Sequence, residues 1–247
     1  MDRFSSFKLF LGICVLLLGL SCSKDSENPV FKEDVLTVEE ELFLEEYEYV
    51  TFKLDPNSSG APLSEKWEVD IKIFLDGEIS PEYRAEVGAA ILNYNEFFKN
   101  GISCVLVDTV SESNVRLVLG EKEAVEMLWP DMYGIIDEGN FIGYALYNYN
   151  GNYNIINGRI WVSNTGIPIF THELGHVLGL GHASSTFCDS NTTDTKSFMC
   201  SSLSNGFSDF DKGILRTLYH PSVEVGKSFQ GLRPVIEDLL LSNKIVL

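Results

Sequence analysis

The amino-acid sequence predicts an α+β fold in which a β-sheet packs against long helices. Three patterns predict it: apolar and polar residues alternate over residues 69–76, apolar residues recur at spacings of three and four over residues 87–98, and two further strand-like runs lie between residues 102 and 120. Alternation is the period of a half-buried strand, and spacings of three and four give one apolar helix face. With 247 residues and 45% hydrophobic content, the chain can bury one sizeable core.

Local signals place the individual elements. Ser80 and Pro81 predict the beginning of a long helix, because serine caps a helix and proline fits its first turn, and Asn100-Gly101 predicts its end. The other predicted elements are strands over residues 69–76, 102–110, 115–120 and 159–163, a short helix over 121–128 before Pro130, a second long helix over 170–180, and a last helix over 208–219.

The N-terminus predicts export. Basic residues precede an apolar run over residues 9–20, which is too short to span a bilayer and is typical of a signal peptide. Ser21-Cys22 resembles the end of a bacterial lipobox, which predicts a lipoprotein signal peptide over residues 1–21 and a lipid anchor on Cys22. An ordinary secretory signal with an incidental cysteine is the alternative. Both interpretations predict an extracytoplasmic protein, either a cell-surface outer-membrane lipoprotein or a secreted one.

The charge balance argues against one class of partner. The formal net charge is −18 and the pI is near 4.5. A surface that binds a nucleic acid needs clustered Lys and Arg to neutralise phosphates. The sequence therefore predicts no nucleic-acid partner, and membrane contact only through the lipid anchor.

The most informative segment is residues 172–182, which contain three of the four histidines. His172 and His176 are four residues apart, so on a helix their imidazoles lie on one face and can approach one ion. Gly179 can adopt a left-handed conformation that ends the helix and returns His182 to the same ion. Three nitrogen ligands leave one tetrahedral position of a zinc ion open for water, as in catalytic sites. Glu173 lies beside them as the candidate general base.

This pattern, HExxHxxGxxH, together with Met199 in the segment Ser197-Phe198-Met199-Cys200, resembles the metzincin clan of zinc endopeptidases. The resemblance covers residues 66–221 and looks matrixin-like within the clan. It implies a twisted mixed sheet, two long helices above a cleft, and a small C-terminal subdomain with a methionine turn and a helix. No tyrosine follows Met199 closely, so the additional tyrosine ligand of astacin-like relatives is not expected.

The resemblance implies a zinc metalloendopeptidase that acts on extracellular proteins or peptides. Zinc would lower the pKa of a bound water, Glu173 would act as general base and then general acid, and Met199 would form an apolar floor beneath the histidines. A catalytically inactive surface binding protein on the same scaffold is the alternative function.

The sequence predicts a monomer, with one catalytic zinc ion in each chain. Between the two long helices, residues 143–145 (Gly143, Tyr144 and Ala145) stand where an edge strand of the family pairs with an extended substrate. The prediction is therefore that their main chain binds substrate. The alternative is an aromatic hairpin that packs on the sheet and has no role in binding.

Residues 22–65 allow two interpretations. Residues 34–54 are acidic and residues 47–54 alternate weakly, which predicts a tether with one docked strand, while residues 55–60 predict a turn. A propeptide that covers the cleft is the alternative, although no cysteine switch is recognisable. Residues 222–247 form a C-terminal extension for which the sequence predicts no role.

The remaining cysteines and acidic residues complete the set of candidates. Cys188 and Cys200 flank a polar loop and could form a disulfide that holds the methionine turn, whereas Cys104 lies in an apolar run and is expected to be buried. Calcium binding near Asp189 and Asp194 has no loop motif to support it, so a solvated turn is expected there.

Overall fold

The computed structural model describes residues 35–189, 196–203 and 206–247, which belong to one compact unit. The predicted signal peptide over residues 1–21, the predicted anchor Cys22 and Asp194 lie outside the described residues. Among the described helices, none is long and apolar enough to cross a membrane.

A five-stranded mixed β-sheet forms the centre of the molecule. Its strands are β1 (Ile71–Gly77), β2 (Cys104–Val107), β3 (Val115–Leu119), β4 (Gly143–Tyr149) and β5 (Ile155–Val162). The spatial order is β2-β1-β3-β5-β4; the first four of these are mutually parallel, and β4 is antiparallel to β5 at one edge. The predicted α+β class is confirmed, and so are the predicted strands that correspond to β1, β2, β3 and β5. Strand β5 begins before the predicted residue 159 because its first residues pair with the end of β4.

Two helices pack on one face of this sheet. Helix α2 (Pro81–Asn95) begins as predicted, because the Ser80 hydroxyl accepts a hydrogen bond from the Tyr83 amide at 3.1 Å. It ends earlier than predicted, because the Asn95 side chain hydrogen-bonds both the N–H and the C=O of Cys104, the first residue of β2. Helix α4 (Ile167–Val177) packs against α2, β4 and β5.

The opposite face of the sheet carries a smaller apolar cluster. Helix α3 (Pro130–Glu138) covers Val118 and Trp161 with Met132 and Ile136. This helix was not predicted, because proline commonly follows the end of a helix, whereas Pro130 occupies the first turn of α3, where its missing N–H has no cost. The short helix predicted over residues 121–128 is only a 3₁₀ turn, Lys122–Val125.

The prediction of a strand over residues 47–54 is wrong. Helix α1 (Val38–Thr51) occupies most of this segment, and Thr37 and Glu40 form a capping box at its beginning. The helix buries Phe43, Leu44, Tyr47 and Val50, which recur at spacings of one, three and three. The alternation over residues 47–54 is therefore coincidental, because burial over residues 43–50 follows the spacing of a helix.

The C-terminal part adds three helices, α5 (Ser185–Cys188), α6 (Asp209–Leu218) and α7 (Phe229–Leu241). Helix α6 was predicted together with its Ser208–Asp211 capping box, which is confirmed. Helix α7 was not predicted; Phe229 packs edge-on against Phe52, which follows α1, with ring centroids 5.9 Å apart. Residues from both ends of the described chain therefore share the core of residues 66–221. The interpretation of residues 22–65 as a tether or a propeptide stays a prediction, and no role is predicted for residues 222–247.

Candidate metal centre

Helix α4 and the turn that follows it bring three histidines together. His172 and His176 lie one helical turn apart, and their Nε2 atoms are 3.1 Å from each other. Gly179 has a φ of +98°, and a Cβ at this position would lie 2.8 Å from the Glu65 carbonyl oxygen. Only glycine fits this left-handed turn easily. The turn returns the chain so that one nitrogen from each of His172, His176 and His182 lies within 4.8 Å of the others.

Backbone carbonyls orient two of the three rings. The Nδ1 atom of His172 is 2.9 Å from the Phe198 oxygen, and that of His176 is 2.9 Å from the Leu180 oxygen. A carbonyl oxygen can only accept, so each Nδ1 carries the proton and each Nε2 keeps its lone pair for a metal ion. The His182 ring has no hydrogen bond to any residue in the described part of the chain.

Burial keeps these rings in the neutral form that binds metal. It lowers the pKa of His172 from 6.5 to about 4. It also lowers the pKa of His176 well below its usual value, with a further contribution from the neighbouring His172 and His182 rings, and lowers the pKa of His182. At neutral pH the three imidazoles are therefore neutral, which is the form that can bind a metal ion.

Glu173 lies beside this cluster and is only 6% exposed. Burial raises the pKa of its carboxyl from 4.5 to about 8. Gly143, the first residue of β4, lies directly against this side chain: a Cβ on Gly143 would be 2.6 Å from Glu173 Oε1 and 2.6 Å from Ile169 Cγ2. The absence of a side chain at residue 143 is therefore what allows β4 to approach Glu173.

The segment around Met199 packs beneath helix α4. Met199 is 1% exposed, and a Cβ on Gly175 would collide with its sulfur. The buried carboxylate of Asp211 holds the segment by accepting hydrogen bonds from Ser197 Oγ at 2.5 Å and from the Phe198 N–H at 3.1 Å. Since Phe198 is also the residue whose carbonyl orients His172, Asp211 supports that ligand through the backbone.

The cysteines form the predicted pair. Cys188 and Cys200 are joined by a disulfide, with Cα atoms 5.4 Å apart, which links the end of α5 to the Met199 segment. Cys104 is buried and free, as expected, and burial raises the pKa of its thiol.

The predicted substrate-binding residues lie on β4 at the edge of the sheet. Ala145 packs toward the main core, whereas Tyr144 contacts the smaller cluster on the opposite face. Strands β4 and β5 also form the hairpin that was the alternative interpretation. The position of this strand is therefore known, and its role in substrate binding stays a prediction.

Sequence reasoning missed a polar cluster near the ligand turn. Glu65 accepts hydrogen bonds from Lys53 at 2.6 Å and from the Tyr147 hydroxyl. The Glu65 side chain therefore links the segment after α1 to strand β4, and the Glu65 backbone carbonyl lies against the Gly179 turn. These residues are far apart in the sequence, and no motif relates them.

Comparison with known proteins leaves the family open: no protein-family model matches the chain, and no curated protein matches it either. The fold and the site define it at a coarser level. It is an α+β protein with a mixed five-stranded sheet and a three-histidine cluster that could bind a metal ion, and both features are compatible with a metzincin-like fold.

Proposed function

We propose that the protein is a zinc-dependent endopeptidase, matrixin-like within the metzincin clan. One observation carries the proposal: three neutral imidazoles converge within 4.8 Å beside the buried carboxyl of Glu173, in the order HExxHxxGxxH. A metal-binding triad alone would fit many functions. A carboxyl whose pKa is raised to about 8 and that lies next to the triad is the additional group that hydrolysis needs.

The donor set fits zinc. Zinc takes nitrogen ligands at about 2.0–2.1 Å in tetrahedral sites, and three ligands leave one position open in catalytic sites. His172 and His176 each have one nitrogen occupied by a carbonyl and the other turned toward the cluster. A bound zinc ion would polarise the scissile carbonyl and lower the pKa of a water molecule toward about 7.

The chain's own residues would supply the proton transfer and the alignment. Glu173 would accept a proton from the attacking water and donate it to the leaving amine; a pKa near neutrality suits both tasks. The main chain of Gly143 and Ala145 would pair with an extended substrate, because β4 lies at the edge of the sheet and its outer side has no neighbouring strand among the described residues.

The site of action follows from the predicted export signal. We propose that the protein is extracytoplasmic, anchored through Cys22 to the outer membrane or secreted, and that it cuts proteins or peptides as a monomer. Its net charge of −18 disfavours binding to nucleic acids, so we propose no nucleic-acid partner.

The test compares the purified full chain with Glu173→Ala, and uses Glu138→Ala as a control at an exposed glutamate. We expect one zinc per chain in all three proteins by metal analysis. Cleavage of a peptide library should fall about 10²–10⁴-fold in Glu173→Ala only, since that is the usual contribution of a general base.

Two outcomes would contradict the proposal. A wild-type chain that binds one zinc but cuts no peptide would favour the inactive surface binding protein. If the purified chain bound no zinc at micromolar concentration, the proposed metal site itself would be refuted.

A further inference from the structure

The loop that carries His182 fixes its histidine less directly than helix α4 fixes His172 and His176. His172 and His176 are fixed by helix α4 and by carbonyls at their Nδ1 atoms. The His182 ring lies outside any helix and has no hydrogen bond within the described residues. Its position therefore depends on the backbone of residues 180–184. Whatever holds this backbone decides whether the third ligand reaches the metal.

Helix α1 supplies two of the hydrogen bonds that hold this loop. The Gly181 N–H donates to the Val50 carbonyl at 2.7 Å, and the Ser184 N–H donates to Glu46 Oε1 at 2.9 Å. These two donors flank His182 on both sides. A third bond, from the Ala183 N–H to the Met199 carbonyl at 3.1 Å, comes from the methionine turn.

The contact between α1 and this loop is close. A Cβ on Gly181 would lie 3.0 Å from the Cα of Lys53, so the loop backbone lies against the chain that leaves α1. Glu46 is only 4% exposed, although it is a carboxylate on a helix rich in solvent-exposed glutamates. A buried carboxylate needs a partner to offset its lost hydration, and the Ser184 N–H is such a partner.

Helix α1 is itself held firmly by the core. Phe43, Leu44 and Tyr47 are fully buried, and Phe43 lies 6.0 Å from the Phe210 ring of α6, measured between centroids. The Arg233 guanidinium of α7 bonds Glu41 at 2.9 Å. The helix is therefore a rigid support for the His182 loop.

We infer that α1 is a positioning element for the third metal ligand, with the Glu46 side chain and the Val50 carbonyl as its two points of contact. The inference rests on the proposed metal site and gives it a part that the sequence motif lacks. It also assigns residues 35–53 to the mature metal site, and not to a propeptide that must be removed.

The test measures zinc affinity of the purified full chain by competition with a chelator of known affinity. Glu46→Ala removes the acceptor of the Ser184 N–H, whereas Glu46→Gln keeps an oxygen in the same place. Glu45→Ala is the matched control, because Glu45 is exposed on the same helix. We expect about 10-fold weaker zinc binding in Glu46→Ala and nearly wild-type binding in Glu46→Gln and Glu45→Ala, as for other groups that orient metal ligands.

A second pair approaches the same bond from the loop. Ser184 has a φ of −67°, which proline can adopt, so Ser184→Pro removes the N–H with little change in the backbone. Ser184→Ala keeps the N–H and removes only the contact of the Ser184 hydroxyl with Glu46. Ser184→Pro should weaken zinc binding about as much as Glu46→Ala, and Ser184→Ala, which keeps the N–H bond to Glu46, should weaken it less. If Glu46→Ala is too unstable to purify, this pair of variants tests the role of the Ser184–Glu46 hydrogen bond on its own.

The visible spectrum of the cobalt-substituted protein separates positioning from general stability. Loss of one nitrogen ligand should change the intensity of the cobalt bands in Glu46→Ala at a temperature where the variant is fully folded. Wild-type affinity and spectrum in both Glu46→Ala and Ser184→Pro would overturn the inference while leaving the zinc site intact. A wild-type chain that binds no metal would overturn both.

Discussion

Substitution of Leu44 by alanine tests whether α1 is part of the folded domain. Leu44 is fully buried in the main core, and the change removes three carbon atoms from it. At about 0.8 kcal/mol for each buried methylene-sized group, the lost transfer free energy is roughly 2.4 kcal/mol. The cavity left behind adds to this, so the free energy of unfolding should fall by about 3 kcal/mol, within the usual range of roughly 2–5 kcal/mol.

Leu42 provides the matched control. It lies on the same helix and is 36% exposed, so Leu42→Ala makes the same change in helix propensity but removes much less buried surface. We expect it to cost less than about 1 kcal/mol.

The assay is equilibrium unfolding in urea with excess chelator, followed by tryptophan fluorescence. Trp67 is a suitable reporter, because it is fully buried and its Nε1 donates to the Val177 carbonyl at the end of α4 at 2.8 Å. If residues 35–53 were a detached tether or a loosely docked segment, Leu44→Ala would leave this transition unchanged. Equal unfolding free energies for Leu44→Ala and Leu42→Ala would therefore refute the integral role of α1.

Two further predictions concern the ligands' surroundings. Asp211→Ala should lower the free energy of unfolding by at least about 3 kcal/mol, because three buried donors lose their acceptor, each at a cost of roughly 1–3 kcal/mol. Asp209→Ala, at an exposed residue of the same helix, is the control. Equal Tm values for the two variants would contradict a stabilising role of the Asp211 hydrogen bonds. Zinc affinity should change less than about 3-fold between pH 7.0 and 6.0, because the lowered histidine pKa values, about 4 for His172, leave no ligand proton for zinc to displace. Three histidines with an ordinary pKa of about 6.5 would instead reduce the zinc affinity roughly 30-fold over this range. This titration uses Glu173→Gln so that the neighbouring carboxyl does not contribute, and a 30-fold loss would contradict the pKa shifts.

Local patterns predicted the elements that carry the first two ligands. Helix α4 follows from its histidine and apolar spacing, and the Gly179 turn follows from glycine's access to positive φ. The beginning of α2 was predictable because Ser80 and Pro81 act only on adjacent residues. These predictions succeeded since each rests on interactions within a few residues.

The errors have two different causes. Helix α1 had a readable signal, the Thr37-x-x-Glu40 capping box, which outweighs the weak alternation that followed it. The contact between Glu46 and Ser184 had none, because the two residues are 138 positions apart and an acidic stretch on a helix usually faces solvent. Tertiary packing selects Glu46 for burial, whereas the burial of Glu40 accompanies the local capping box.

Two of the buried carboxylates near the histidine cluster, Glu46 and Asp211, lie far from the HExxHxxGxxH motif in the sequence and hold two of its loops. Glu46 holds the His182 loop and Asp211 holds the Phe198 segment, and burial raises the pKa of both. Burying carboxylates costs free energy, and these two also repel each other. The cost is offset only while each accepts backbone N–H groups in the folded arrangement, so each carboxylate favours the one loop conformation that presents its ligand. If the proposed zinc ion binds only that arrangement, metal binding and the folding of α1 and α6 are thermodynamically linked.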